Sequence, residues 1–415
     1  MNKKISILDN KTVLVTENIP AYDTLSIGIW SKWGSDQDGN RPGICHFLEH
    51  MLFKGTANYS RKELADLCER LGGEFNAATD YNNLSVFTKI TKENTEKALE
   101  LLTEMTLYSQ LSDREIDKEK QVVLAEIKKY NDIPQEKVED LFNKTFFLNG
   151  TLQHPVLGYE EVITDISREE LKSASNFFFC GENTVITAAG NVDHDTILDI
   201  LKNSYHPRGT DVPPTSYIAP QPKKIGVIST TDDELINFCF AGQSIDWKDE
   251  RECALMCLDI IFGGSTTSRL FEKIREELGM SYDISSYDVP YKNTGVYGVI
   301  GSTLKENLEQ LFSIIRQEAA DMQKNGISIN ELVSAKDQLK SRILLANENS
   351  LSKNDLLADS YLRYGKIITE HDMIKSIDQV TKNEVNCLID EILCPDNWTL
   401  AVIGDIIKEE AERLI

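Results

Sequence analysis

Ser167-Arg168-Glu169-Glu170, leading through Cys180 and Asn183 to the apolar run Val185-Ile186-Thr187-Ala188-Ala189, recurs 214 residues later without a gap. The second copy opens with Thr381-Lys382-Asn383-Glu384, carries Cys394 and Asn397, and reaches Thr399-Leu400-Ala401-Val402-Ile403 before Gly404, the counterpart of Gly190. Each copy starts with a hydroxyl residue followed three positions later by Glu, the reciprocal cap that marks a helix N-terminus. Looser echoes flank this block. Leu64-Ala65-Asp66-Leu67-Cys68-Glu69-Arg70-Leu71-Gly72 resembles Leu270-Phe271-Glu272-Lys273-Ile274-Arg275-Glu276-Glu277-Leu278-Gly279. In both halves a helix ends on glycine, two strands follow as a hairpin-like pair, and a long helix comes next, from Asn94 to Met105 and from Lys305 to Met322. These patterns predict an α+β fold of two homologous domains, each a mixed or antiparallel sheet with helices packed on one face. Five of the eleven prolines fall between Pro207 and Pro222. That density predicts a linker over 206–224, separating an N-terminal domain, 1–205, from a C-terminal domain, 225–415.

Composition narrows the function classes. Hydrophobic residues make up 41% and charged residues 27% of the 415, an ordinary globular balance. No apolar run approaches the roughly 20 residues of a membrane span, and the first residues, Met1-Asn2-Lys3-Lys4-Ile5-Ser6-Ile7, read as a strand and not as a secretion signal. The formal charge of −23 argues against nucleic acid and suits either cationic substrates or plain solubility. Eight scattered cysteines read as buried thiols of a reducing compartment, so the expectation is a cytoplasmic protein without a membrane segment.

The duplication serves as a control: what both halves share belongs to the fold, and what one half has alone is a candidate for function. Only six histidines occur, and none lies between His206 and His371. The run Ile44-Cys45-His46-Phe47-Leu48-Glu49-His50-Met51-Leu52-Phe53 has helical periodicity, with 44, 47, 48 and 51 toward the core and 46, 49 and 50 sharing another face. Two imidazoles one turn apart can bind one Zn²⁺, and a carboxylate beside them can take a proton from an attacking water. His154 in a loop and His194 at an Asp-rich helix start read as solvated. A carboxylate is the better third ligand. On the helix Glu115 to Ile127, Glu119 and Glu126 are two turns apart on one stripe, while Val122, Val123 and Ile127 point toward the core; spacing alone leaves metal ligand and solvated surface both open. A nucleotide site at Gly263-Gly264-Ser265-Thr266-Thr267 is set aside because no Gly-Lys-Ser/Thr follows.

Gly43 to Thr56, with His46-Phe47-Leu48-Glu49-His50 at its centre, resembles the signature of the pitrilysin/insulinase superfamily of inverted-motif zinc peptidases. The likeness is to its short, dimeric branch, which includes the mitochondrial processing peptidase. The resemblance covers essentially the whole chain and implies one Zn²⁺ per chain, held by His46, His50 and Glu126, with Glu49 as the base and Glu119 orienting a ligand histidine. Gly72-Gly73-Glu74-Phe75-Asn76-Ala77-Ala78-Thr79 is similar to the family strand whose Asn and Ala hold the peptide backbone, here Asn76 and Ala77. Ser268-Arg269-Leu270-Phe271 leading to Arg275 and Tyr282 resembles the pair that contacts substrate and the reacting carbonyl. Asn82 stands where many relatives have Glu. The resemblance further implies a clamshell homodimer, or a heterodimer with a related chain, acting on unfolded peptides. Its alternatives are a catalytically silent relative serving as partner or structural subunit, and a small-molecule hydrolase.

Overall fold

The computed structural model describes residues 2–209, 219–220, 224–230, 234–346 and 348–415. The linker expected over 206–224 lies largely outside the described residues. The chain forms two compact units. The first sheet contains β1 (Lys3–Ile7), β2 (Val13–Asn18), β3 (Thr24–Ser31), β4 (Glu74–Thr79), β5 (Leu84–Thr91) and β6 (Thr184–Gly190). Its order is β1-β2-β6-β3-β5-β4, antiparallel except for the parallel β2–β6 pair. The second sheet contains β7 (Ile225–Ser229), β8 (Leu235–Ser244), β9 (Ser285–Pro290), β10 (Gly295–Leu304) and β11 (Thr399–Gly404), in the order β7-β11-β8-β10-β9 with β7–β11 parallel. Strand for strand this repeats β2-β6-β3-β5-β4. Two mixed sheets of one topology are what the repeated sequence predicts.

The central strands β2, β3 and β6 are buried on both faces. In the first sheet Leu14, Leu25, Ile27, Ile29, Ile186 and Ala188 enter the larger of its two clusters. That core also takes Phe47, Leu48 and Met51 of α1 (Ile44–Met51), Leu64 of α2 (Arg61–Arg70), and Leu99, Leu102 and Met105 of α3 (Thr95–Leu107). Val13, Val15, Trp30, Val185 and Ala189 form a second cluster on the other face, with Leu357 and Ala358 of the helix Ser350–Tyr364. Helices of the same half thus pack on one face, as expected, and the opposite face is covered by a helix from the other half.

The exchange is mutual. The helix α5 (Pro134–Phe146) belongs to the second unit, where Phe142 meets the Tyr287 ring edge-on at 6.3 Å and Tyr287 donates a 3.2 Å hydrogen bond to Glu139. The first unit accordingly comprises Met1–Lys128, Pro155–Ser216 and Leu345–Ile368, and the second Lys129–His154, Tyr217–Leu344 and Thr369–Ile415. Among the described residues no helix is long and apolar enough to cross a membrane.

The segment Phe271–Glu277, expected as an ordinary helix, is wound as a π-helix, the wider turn that often marks functional positions. His194, read as solvated, is buried between two hydroxyls, with Ser6 Oγ at 2.8 Å from its Nε2 and Thr16 Oγ1 at 2.8 Å from its Nδ1.

Candidate metal centre and its surroundings

The first sheet and its helices bring four potential metal-site side chains together. α1 begins on Gly43 at φ 95°, a left-handed conformation that favours glycine. Asp38 anchors this start by accepting hydrogen bonds from the Gly43 amide at 2.7 Å and the Cys45 amide at 3.1 Å. Its carboxyl oxygens satisfy backbone donors that the helix leaves unpaired, while burial pushes the Asp38 pKa well above the usual carboxylate range. Ile44, Phe47, Leu48 and Met51 are buried, so the helix presents Glu49 and His50 at its partly open face with His46 just beneath the surface.

The two imidazoles lie edge to face, their centroids 4.7 Å apart. Both aim Nε2 at one oxygen of Glu126, which stands on α4 (Asp113–Asn131): Glu126 Oε2 is 3.3 Å from His50 and 3.8 Å from His46. Among the described residues these three side chains form the one group of histidine, cysteine and carboxylate close enough to share an ion, with ligand atoms within 4.8 Å of one another.

Each histidine is tuned differently. Burial, and then the charge of His50, push His46 down to about 4, so its ring is neutral at physiological pH. Burial also works against protonation of His50, but the hydrogen bond with Glu119 and the charges of Glu126, Glu119 and Glu49 prevail and raise its pKa. Glu119, two turns before Glu126, is itself buried and faces His50 Nδ1 at 2.9 Å. Its other oxygen pairs with Lys54 Nζ at 2.8 Å. Burial favours the protonated acid, but these two partners outweigh it and keep Glu119 below the usual carboxylate range.

Glu49 is fixed from the sheet. Thr79, the last residue of β4, donates its hydroxyl to Glu49 Oε2 at 2.5 Å. Burial raises the Glu49 pKa, with the Thr79 bond and His50 opposing it. β4 is the outermost strand of its sheet. On it, Asn76 is exposed and its Oδ1 accepts the Ala77 amide at 2.9 Å, while Ala77 is buried. Val122, expected to point toward the core, is instead half exposed, because the α4 stripe of Ile116, Glu119, Val123 and Ile127 already fills the packed side. Lys54 and Thr79 were not singled out from sequence; both sit inside the stretches that carry the resemblance, but their partners are 65 and 30 residues away.

Comparison with known proteins gives the arrangement its lineage. Residues 13–160 match the insulinase domain of peptidase family M16, and residues 165–339 match the M16 inactive domain. Over 398 residues the chain is 32% identical to the uncharacterized zinc protease YmxG of Bacillus subtilis, spanning 95% of this chain and 96% of that protein. The chain belongs to peptidase family M16. An uncharacterized zinc protease of Rickettsia felis is 30% identical over 409 residues, 97% of this chain and 98% of its own. The fold is shared with a peptidase M16 inactive domain from Pseudomonas fluorescens, with a TM-score of 0.90 at 20% identity and 98% of both chains covered. A protease from Helicobacter pylori has a TM-score of 0.88 at 19% identity, over 97% of this chain and 99% of that one.

In this M16 chain all four metal-site candidates fall within the first matched segment, and Arg275 and Tyr282 fall within the second. The Arg275 guanidinium is stacked between two rings, 4.3 Å from the centroid of Tyr282 and 4.7 Å from that of Phe271. Tyr282 is 81% exposed, far beyond what an aromatic side chain adopts for packing.

Proposed function

We propose that this chain is a zinc metalloendopeptidase that hydrolyses unfolded peptides or leader segments. The observation that carries the reading is the convergence of His46 and His50 Nε2 on Glu126 beside a tethered Glu49. The donor set fits zinc on its own chemistry. Two neutral-capable imidazoles and one carboxylate are the usual three protein ligands of a catalytic site, and His50, with Nδ1 occupied by Glu119, offers Nε2 outward. His46, held neutral by burial, needs no proton removed before it can donate. When bound, the ion supplies Lewis acidity at the head of the site.

The residues do the rest. With Oε2 held by Thr79, Glu49 has Oε1 available to take a proton from the attacking water and deliver it to the leaving amine. The edge of β4 is open to an added peptide strand running past Asn76 and Ala77. Arg275 and Tyr282, already stacked, are assigned to the peptide or its developing oxyanion on the strength of the family resemblance. Because one chain carries both residue sets, the assembly proposed is a homodimer enclosing a chamber. Its negative charge favours cationic peptides. None of the eight cysteines forms a disulfide, which supports a cytoplasmic setting.

The competing reading is a silent partner subunit, suggested by the inactive-domain match over 165–339. Elemental analysis of pure protein should give about one zinc per chain, lost on His50→Ala. A peptide library should then be cut by the wild type. A zinc-loaded protein that cleaves no peptide in the library is the silent partner instead.

A further inference from the structure

The base of this site is not oriented by its own helix. Glu49 lies on α1, but the group that holds it, the Thr79 hydroxyl, ends the edge strand β4. Side chains along the strand alternate in a fixed way: Phe75, Ala77 and Thr79 share one face of β4, and Phe75 and Ala77 pack into the core that also contains α1. Thr79 therefore reaches Glu49 only while β4 keeps its register against β5, where it pairs with Leu84. A one-residue slip would turn the hydroxyl to the opposite face.

We propose that Thr79 is a positioning residue for the hydrolytic reaction. Its hydroxyl fixes the Glu49 carboxylate in the rotamer that leaves one oxygen for proton transfer, and so links the strand that accepts the peptide to the base that acts on it. A carboxylate on a freely rotating side chain would spend little time in reach of the attacking water, and a misplacement of about 1 Å in such a group costs about a hundredfold in rate. Thr79 hydrogen-bonds Glu49 and is not one of the three residues grouped to hold a metal, so its removal should leave capture intact and slow the chemical step.

This inference rests on the peptidase reading above, and a wild-type protein that cuts no peptide overturns that reading first. With a quenched fluorogenic peptide chosen from the library, Thr79→Val should lower kcat about tenfold to a hundredfold, with KM within about twofold and zinc content and melting temperature unchanged. Thr79→Ser, which keeps the donor, should stay within about threefold of wild-type kcat. Wild-type kcat in a zinc-loaded Thr79→Val protein overturns the proposal. So does equal impairment of the Val and Ser variants, which would assign the effect to the lost methyl packing. If the Val variant loses zinc or fails to fold, Thr79→Ala against Thr79→Ser carries the same contrast: a slow Ala and a fast Ser support the role, and equal rates overturn it.

Discussion

Replacing Glu119 by Gln tests how the site holds its histidine, because the structure leaves the amide no satisfactory orientation. Glu119 accepts on both oxygens, from His50 Nδ1 at 2.9 Å and from Lys54 Nζ at 2.8 Å, and is 4% exposed. A glutamine has one acceptor oxygen. Turned toward His50, it sets its NH₂ against the Lys54 ammonium, donor to donor. Turned toward Lys54, it sets NH₂ against His50 Nδ1, which must then accept; the ring proton moves to Nε2 and blocks the nitrogen that faces Glu126. One orientation costs the lone pair that faces the metal site, and the other sets donor against donor at Lys54. Losing such an outer partner weakens metal binding about 10- to 100-fold, or about 1.4 to 2.7 kcal/mol, and the doubly satisfied, buried geometry argues for the upper end. Competition against a chromophoric zinc chelator measures it. Adding Lys54→Met removes the opposing donor and lets the carbonyl of the introduced amide settle on His50, so the double variant should recover affinity, with a coupling of about 1 kcal/mol or more. A zinc Kd within about twofold of wild type for Glu119→Gln, or strictly additive variants, would refute this account.

Glu49→Gln keeps shape and ligands but removes the base; zinc should stay bound while turnover falls at least about a hundredfold, and near-normal turnover would assign proton transfer to another group. Asp140 is held up to about 7, mainly by burial and then by the charges of Glu139 and Glu136. The folded chain keeps this proton between about pH 4 and 7 while the unfolded chain releases it, so this residue's contribution to stability falls as pH rises through that window. Asp140→Asn should flatten that slope in urea melts and add about 2 to 4 kcal/mol at pH 8; an unchanged pH profile would show that the carboxyl is solvated. At low salt, cationic peptides should be cut faster than acidic ones of equal length, with the difference fading as ionic strength exceeds about 0.15 M; equal rates would reduce the charge of −23 to a solubility role.

What could be read from sequence and what could not divide along one line, that of range. The α1 face carrying His46, Glu49 and His50 was legible because eight residues of 3.6-fold periodicity decide it, and the buried Ile44, Phe47, Leu48 and Met51 follow the same rule. The duplicated strands were legible because the repeat supplies its own template. Glu126 was only one of several stripe glutamates until the family spacing singled it out. Thr79 and Lys54 act on partners 30 and 65 residues away, which no local pattern encodes. The exposure of Val122 and the burial of His194 were missed for a related reason: composition and spacing give a helix its apolar side, but neighbouring elements decide how much of it is covered. The exchanged helices follow the same logic, since periodicity marks an apolar face without naming the sheet it will cover.

That exchange has a consequence for how the protein is born. The first sheet's strands are all synthesised by residue 190, yet the helix that covers Val13, Val15, Trp30, Val185 and Ala189 ends only at Tyr364. At roughly 5 to 20 residues per second, a ribosome needs about 9 to 35 seconds to make the intervening stretch. A first sheet formed within that interval would have one apolar face unclothed. A message truncated near residue 205 would lack the helix that covers this face and should yield a sticky fragment.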